Sequence, residues 1–488
     1  MKIRTFLLAA APYVIITILC FASRIPQLLS PHLMLDEDEC VVGLMAKHLM
    51  EGSHIAVFFY GQSYGFTLVE SAMISLFSLF GGLNEHSIKL AMLALWTIGI
   101  IFFYKTCKEI IFRDNKVAAW LLTLMFIFLP AWAVWSMKAR GGYLTAFPLS
   151  AILLWYLLSD YKKSFWGYSL TGVLLAIIAY SQPLWLPGLL PFLFYCWYHE
   201  GHKLYSFKAF TIGNLVAIGI FTLLQRHTAN YWSPKVFDIH MPGVLDLPSL
   251  LYDHLNAYYY LTDVYASPII SKIFSGVFII LIITILIIAV RDVFTNFMDN
   301  FLFICAAASI AFTLGYCLFL NDHAPRYLLP LTGFTLIALA ILLNKINKQQ
   351  LIKQVTIPFI IVGAICLCLF KNFVFNGTST KQLMSCISWL NKNNIKYVFA
   401  DDVATQWQLT FYSKETVICR GDDLKDRLPR YIDSVNLAYK TDPQKTAIVD
   451  PTNDLFDMEP DNLLIVDKYF IVVNPDAELL KGMEFDLK

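Results

Sequence analysis

The chain has 488 residues, of which 57% are hydrophobic and only 15% charged, and its formal net charge is +1. So large an apolar share excludes an ordinary soluble domain, and a near-zero charge with no basic stripe excludes a nucleic-acid partner. The apolar residues come in runs of about twenty, the length a helix needs to cross hydrocarbon. The sequence therefore predicts a polytopic α-helical membrane protein.

Lys2 and Arg4 precede an apolar run from Phe6 to Phe21, read as a retained first span rather than a cleaved signal. Asp36, Glu37, Asp38 and Glu39 follow, and a helical pattern begins at once. Val41, Val42, Met45 and Leu49 share one face, Lys47, His48 and Glu51 lie off it, and Gly52 sits where such a helix stops. An acidic first turn favours the helix dipole by about 0.3–1 kcal/mol per charge. Four adjacent like charges exceed that need, so the patch reads as functional.

Further spans are predicted near 88–104, 117–136, 143–158, 165–180, 184–198, 208–224, 269–290, 301–320, 326–343 and 355–371. Basic residues such as Lys105, Arg113, Lys162, Lys203 and Lys345 fall in alternate short loops, which marks those loops as cytoplasmic. About eleven spans then place the N-terminus in the cytoplasm and the C-terminus outside, as in a multi-pass protein of a bacterial inner membrane. The outer side receives the first loop 23–87, the turn Lys138–Gly142, the 225–268 loop, Asn321–Pro325 and the C-terminal tail. The Tyr- and Trp-rich 225–268 loop reads first as an interfacial anchor and second as a sugar-binding surface.

From about Phe375 the composition changes. Lys381–Asn391 reads as a helix, and Ile395–Ala400, Thr416–Arg420, Thr446–Val449 and Leu463–Val466 read as strands joined by polar connections. The expected organisation is a membrane module over 1–375 and a small α/β domain over 376–488, on the side of the acidic loop. Most cysteines lie in apolar runs as packing residues; pairing is open only for Cys386 and Cys419, in the polar part. No CxxC or HExxH metal motif occurs.

Four outer segments carry residues that suit chemistry: the acidic patch, YGQSYG at 60–65 with Glu70 beyond it, MKARGGY at 137–143, and NDHAPRYLLP at 321–330. Charges at a bilayer boundary are costly unless paired or used. These types fit the transfer of a sugar from a lipid phosphate to a hydroxyl. A carboxylate takes the acceptor's proton, and cations hold the departing phosphate as its charge grows. Lys138, Arg140, His323 and Arg326 are the candidate cations. Their plainer roles are snorkelling arginines and a loop histidine; for Glu70 the plainer role is a bond to a neighbouring span.

LDEDECVVGLMAKHLMEG followed by VFFYGQSYGFTL resembles the first external loop of GT-C glycosyltransferases. The likeness is to the group that includes protein O-mannosyltransferases and lipid A aminoarabinose transferases, and it covers roughly residues 1–375. The family's Asp-Glu pair falls on Asp38 and Glu39, with Asp36 and Glu37 as the competing register. Ala139–Tyr143 and Pro325–Pro330 also resemble family loops, which implies that Arg326 faces the donor phosphate. Tyr60, Gln62, Tyr64, Glu70 and Tyr327 join the substrate-binding candidates. Where the aminoarabinose transferases carry Glu-Lys-Pro-Pro, this chain has Gly65-Phe66-Thr67-Leu68, which removes the ground for a second catalytic acid or metal ligand at Glu70. The resemblance implies a GT-C membrane module, a polyprenyl-phosphate hexose or pentose as donor, and a glycan, lipid or protein acceptor. It also implies inversion, with Asp38 as base. Some members use a divalent metal and some do not, and no other cofactor is implied. The alternatives are a lipid or sugar transporter and a non-catalytic scaffold of the same fold.

Overall fold

The computed structural model describes the chain except residues 1, 31–32, 54, 160–163, 200–203, 226–242, 244, 247–248, 250–267, 321–324, 347–348, 370–379, 423–426, 453, 459, 461 and 488. His323 and almost all of the 225–268 loop therefore lie outside the described residues.

The membrane layer is built from α1 (Lys2–Ala22), α4 (Glu85–Lys105), α5 (Lys116–Ile127), α6 (Tyr143–Leu158), α7 (Phe165–Ser181), α8 (Leu186–His199), α9 (Leu204–Gln225), α10 (Pro268–Thr295), α11 (Phe301–Leu318), α12 (Leu329–Ile346) and α13 (Gln349–Leu369). Between α1 and α4, beyond a single turn at Ile25–Leu28, stand the two longer helices of the first loop, α2 (Glu37–Glu51) and α3 (Leu68–Gly81). Among the described residues, five stretches are long and apolar enough to cross a membrane, from Glu85–Ile111 to Arg326–Ile346, with shorter apolar helices beside them. The chain is an integral membrane protein. Burial sorts the spans: 89% of the Arg326–Ile346 window is covered by protein but only 22% of Ser206–Gln225, so α12 runs through the middle and α9 lies at the rim.

The C-terminal part follows the expected α/β pattern. It comprises α14 (Thr380–Lys392), β1 (Tyr397–Ala400), α15 (Val403–Tyr412), β2 (Ile418–Arg420), α16 (Pro429–Thr441), β3 (Thr446–Asp450), β4 (Leu463–Val466), β5 (Tyr469–Val473) and α17 (Ala477–Gly482). The strands form one sheet in the order β2-β1-β3-β5-β4. β1 is parallel to β2 and β3, whereas β5 is antiparallel to both β3 and β4. Two apolar layers cover the sheet, one around Leu383, Leu390 and Val398, the other around Phe399, Ile448 and Val472. Cys386 and Cys419 are free thiols buried in the first of these. The structure adds β5, α15, α16 and α17 to the strands and helix expected from the sequence.

Helix α15 joins the two layers by lying against α2. Gln408 Nε2 donates to the Leu35 carbonyl at 2.8 Å and the Leu35 N–H donates to the Tyr412 hydroxyl at 3.3 Å. The Phe411 ring lies over Gly43, where any Cβ would collide with it. Trp407 and Phe411 thus belong to the apolar core of the membrane layer. The sheet domain and the acidic loop share one end of the bundle.

Candidate active site

The acidic stretch divides its labour. Asp36 is the extended residue before α2; its carboxylate accepts the Glu39 N–H at 2.9 Å, and Glu39 accepts the Asp36 N–H at 3.3 Å. This reciprocal capping box satisfies donors the helix end leaves open. Glu39 also pairs with Lys89 of α4, and both side chains are fully buried. Such charges persist in an interior only when paired, so Glu39 anchors α2 to the bundle. Gly52, at φ +64, closes the helix in a left-handed turn that favours glycine.

The other three acids meet cations. Asp36 lies 2.6 Å from Lys138 Nζ and 3.5 Å from Arg140. Burial would raise its pKa, but Lys138, then Arg140, overcome this and hold the carboxyl well below the usual range. Asp38 is gripped on both oxygens, by Arg140 at 2.6 Å and by Arg427 at 2.7 Å. Glu37 lies 4.0 Å from Arg140, and burial followed by the charges of Asp36 and Asp38 pushes its carboxyl upward. The acids hold Arg140 charged in turn: burial opposes, yet Asp38, Asp36 and Glu37 raise its pKa.

Lys138 and Arg140 sit on the turn before α6, and Glu70 of the first loop shapes that turn. Its carboxylate accepts the Leu144 N–H at 2.9 Å and faces the N–H groups of Gly142, Thr145 and Arg140. Full burial outweighs those dipoles and raises its pKa to about 7. Glu70 therefore serves the turn from behind.

The Tyr/Gly segment lies alongside. Tyr64 is within electrostatic range of Arg326, Asp38, Arg427 and Arg140, although burial is the main influence on its hydroxyl and pushes its pKa up. Arg326 hydrogen-bonds the Tyr143 side chain and stands 5.1 Å over the Tyr327 ring, which is itself buried. Gly61 has φ +72, and a Cβ there would come within 2.8 Å of Arg427 Cα. The glycine thus lets the segment close on Arg427, whose guanidinium lies 4.6 Å over the Phe59 ring. Gln62 is half-buried in this loop, its N–H donated to the Phe59 carbonyl at 3.0 Å.

Tyr60 points elsewhere. Its hydroxyl is 2.6 Å from His48 Nδ1, in a second network centred on Glu415 of the sheet domain. Glu415 receives Lys47 at 2.5 Å, His48 Nε2 at 3.1 Å and the Tyr431 hydroxyl at 2.5 Å. Burial opposes, but these donors, His48 first, hold its carboxyl far below the usual range. His48, Glu51 and Glu415 are the single cluster with metal-ligand types and spacing among the described residues. Lys47 Nζ already bridges Glu51 at 2.9 Å and Glu415 at 2.5 Å, so an ammonium fills the place a metal would take.

The structure therefore brings Asp36, Glu37, Asp38, Lys138, Arg140, Tyr64 and Arg326 to one neighbourhood, with Tyr327, Glu39 and Glu70 behind them and Tyr60 in the second network. Sequence reasoning missed Arg427. It lies near the far end of the chain, in a stretch with no motif, and only the docking of the sheet domain brings it to Asp38.

No family model matches the sequence, and no curated protein is significantly similar to it. The fold is shared with a solved membrane protein, ArnT from Cupriavidus metallidurans bound to undecaprenyl phosphate. The likeness has a TM-score of 0.59 and covers 97% of this chain and 99% of ArnT at 11% identity. The apo form of the same ArnT gives a TM-score of 0.47 at 13% identity, covering 96% and 99%. The chain has the ArnT-like GT-C fold with a small C-terminal sheet domain, the fold class expected from the sequence.

Proposed function

We propose that the protein is a glycosyltransferase that moves a sugar from a polyprenyl-phosphate donor to a hydroxyl acceptor. The observation that carries this reading is the contact of Asp38 with Arg140 at 2.6 Å, beside Tyr64 and Arg326, at one end of a bundle with the ArnT fold. Asp38 is the base: it takes the acceptor's proton while the acceptor oxygen attacks the anomeric carbon. The bond from that carbon to the phosphate oxygen breaks, its electron pair leaves with polyprenyl phosphate, and the configuration inverts. Arg140 and Arg326 hold the leaving phosphate, and Lys138 keeps Asp36 and the turn in place. A carboxylate paired on both oxygens is a poor base, so the arriving phosphate must first draw a guanidinium away. Polyprenyl phosphate would be the product released, and ArnT was solved with that class of lipid bound.

An apolar groove of about 440 Å³ between α8 and α11, lined by Leu186, Leu190, Phe312, Tyr316 and Phe319, suits the prenyl chain. It adjoins Cys317, whose thiol donates to the Tyr327 carbonyl at 3.5 Å, next to Arg326. In this reading residues 1–375 form the catalytic module and 376–488 a domain on the extracytoplasmic side of the inner membrane.

The test is purified protein in nanodiscs, given undecaprenyl-phosphate hexose or pentose together with a membrane-glycan extract. Release of undecaprenyl phosphate by the wild type and its loss in Asp38→Asn are expected. Donor carried unchanged across proteoliposomes, or bound without turnover, overturns the proposal in favour of a transporter or a scaffold.

A further inference from the structure

The segment that carries Arg140 and Tyr143 into the site has few side chains of its own to hold it. Gly141 and Gly142 stand between them at φ +53 and +87, and Gly142, the residue before α6, offers no side-chain cap. Glycine is the least restrained residue, so groups from elsewhere must set the position of this turn. Gln182 Nε2 donates to the Gly141 carbonyl at 3.3 Å, and a Cβ on Gly142 would meet the Ser181 carbonyl oxygen at 2.8 Å. Glu70 holds the amide side. Its Oε1 accepts the Leu144 N–H at 2.9 Å, and the N–H groups of Arg140, Gly142 and Thr145 face the carboxylate. A carboxylate from α3 thus caps the N-terminus of α6, where its charge suits the dipole.

The cap costs more than a helix start requires. A neutral Ser, Thr or Asn serves that purpose, whereas Glu70 is a charge buried without exposed surface. Charged and titratable side chains on the elements around it are engaged with other partners. Lys138 and Arg140 of the turn meet Asp36 and Asp38, Lys89 of α4 meets Glu39 of α2, and Tyr143 of α6 meets Arg326. At the far end of α2, Lys47 and His48 meet Glu415. Oε2 of Glu70 has no hydrogen-bond partner among the described residues, so a proton placed there cancels the charge without breaking the bond to Leu144.

We propose that Glu70 is a positioning residue for the transfer: its carboxylate fixes the double-glycine turn so that Arg140 reaches Asp38 and the departing phosphate, and loss of its charge releases the turn. The inference rests on the donor reading above and extends it. Glu70 touches none of the reacting atoms and acts through Arg140. Because burial lifts its pKa to about 7, the charged cap is present above that value and is lost as pH falls through it.

The test uses full-length protein in nanodiscs, with the donors and the glycan extract named above. Turnover of the wild type should fall roughly tenfold from about pH 8 to about pH 6, following the charged fraction of Glu70. Glu70→Gln, which keeps an oxygen for the Leu144 N–H, should be slow at both values and lack that step near pH 7, with kcat lowered more than KM. Added to Arg140→Gln, it should cost little further turnover, since the residue through which it acts is already gone. Hydrogen exchange of the Arg140–Thr145 segment, corrected for intrinsic rates, gives a readout without turnover. The wild type should lose protection there on acidification, and this holds as a test should the glutamine variant unfold. An active wild type whose protection ignores pH, or losses that simply add in the double variant, overturns the inference and leaves the donor reading standing. A wild type that releases no undecaprenyl phosphate at either pH overturns both.

Discussion

The two ends of α2 both hold charges against the sheet domain, and they hold them differently. At the C-terminal end Lys47, His48 and Tyr431 converge on the single carboxylate of Glu415, and Lys47 also meets Glu51. Each donor there has an acceptor, and the network resembles a clasp. At the N-terminal end, Arg140, Arg427 and Arg326 crowd around Asp38 and Tyr64. Side chains from four distant parts of the chain meet there, and Asp38, the group expected to do chemistry, is covered on both oxygens. One end ties the sheet domain to the helix; the other gathers the residues proposed to do chemistry.

The contrast breaks most visibly at Asp38. Asp38→Asn should lower sugar transfer by roughly 10²–10⁴-fold, the range for losing a general base, without loss of the folded protein; Glu51→Gln at the opposite end should leave turnover nearly unchanged in the same assay. Next comes the anchor beneath the active end. Lys89→Met leaves Glu39 buried and unpaired, at a cost of about 3–5 kcal/mol, seen as a lowered melting temperature in detergent. Glu39→Gln combined with Lys89→Met should recover much of that loss.

The clasp should answer to pH. Glu415 titrates below its ordinary value near 4.5 in the folded protein, so its contribution is full above that value and drains away as pH falls further. The wild type should become sensitive to proteolysis between its two layers in acid. Glu415→Gln should be equally sensitive at neutral and acid pH. Lys47→Met should have the smallest effect, about 1 kcal/mol, because Glu415 keeps His48 and Tyr431 as donors, measured by the same thermal melt.

What could be read in advance follows from how local each signal is. The stop at Gly52 and the start of α2 were legible because capping is written in adjacent residues. The division among the four acids was not: Glu39 is set apart by Lys89, and only packing reveals that partner. β5 escaped notice because just Asp467 and Lys468 separate it from β4, Asp467 taking a left-handed conformation at φ 55. α15 escaped for a different reason. Every residue from Ala404 to Phe411 is buried, Thr405, Gln406, Gln408 and Thr410 among them, since the helix is pressed between the sheet and α2, and polar residues buried along with apolar ones leave no amphipathic pattern to give it away. α16 did carry a usable pattern, with Tyr431, Ile432, Val435 and Ala438 on its inner face. Arg427 had no signal at all, because its relation to Asp38 exists only once the domain has docked.

The ring of Phe411 over the bare α-carbon of Gly43 has a practical corollary for anyone exchanging modules among proteins of this fold. A transplanted soluble part would have to bring an aromatic of matching size to that spot, and a recipient helix with alanine there would refuse the graft. Compatibility between the halves of a chimera would thus be settled by a single methyl group, well before any reacting atom is considered.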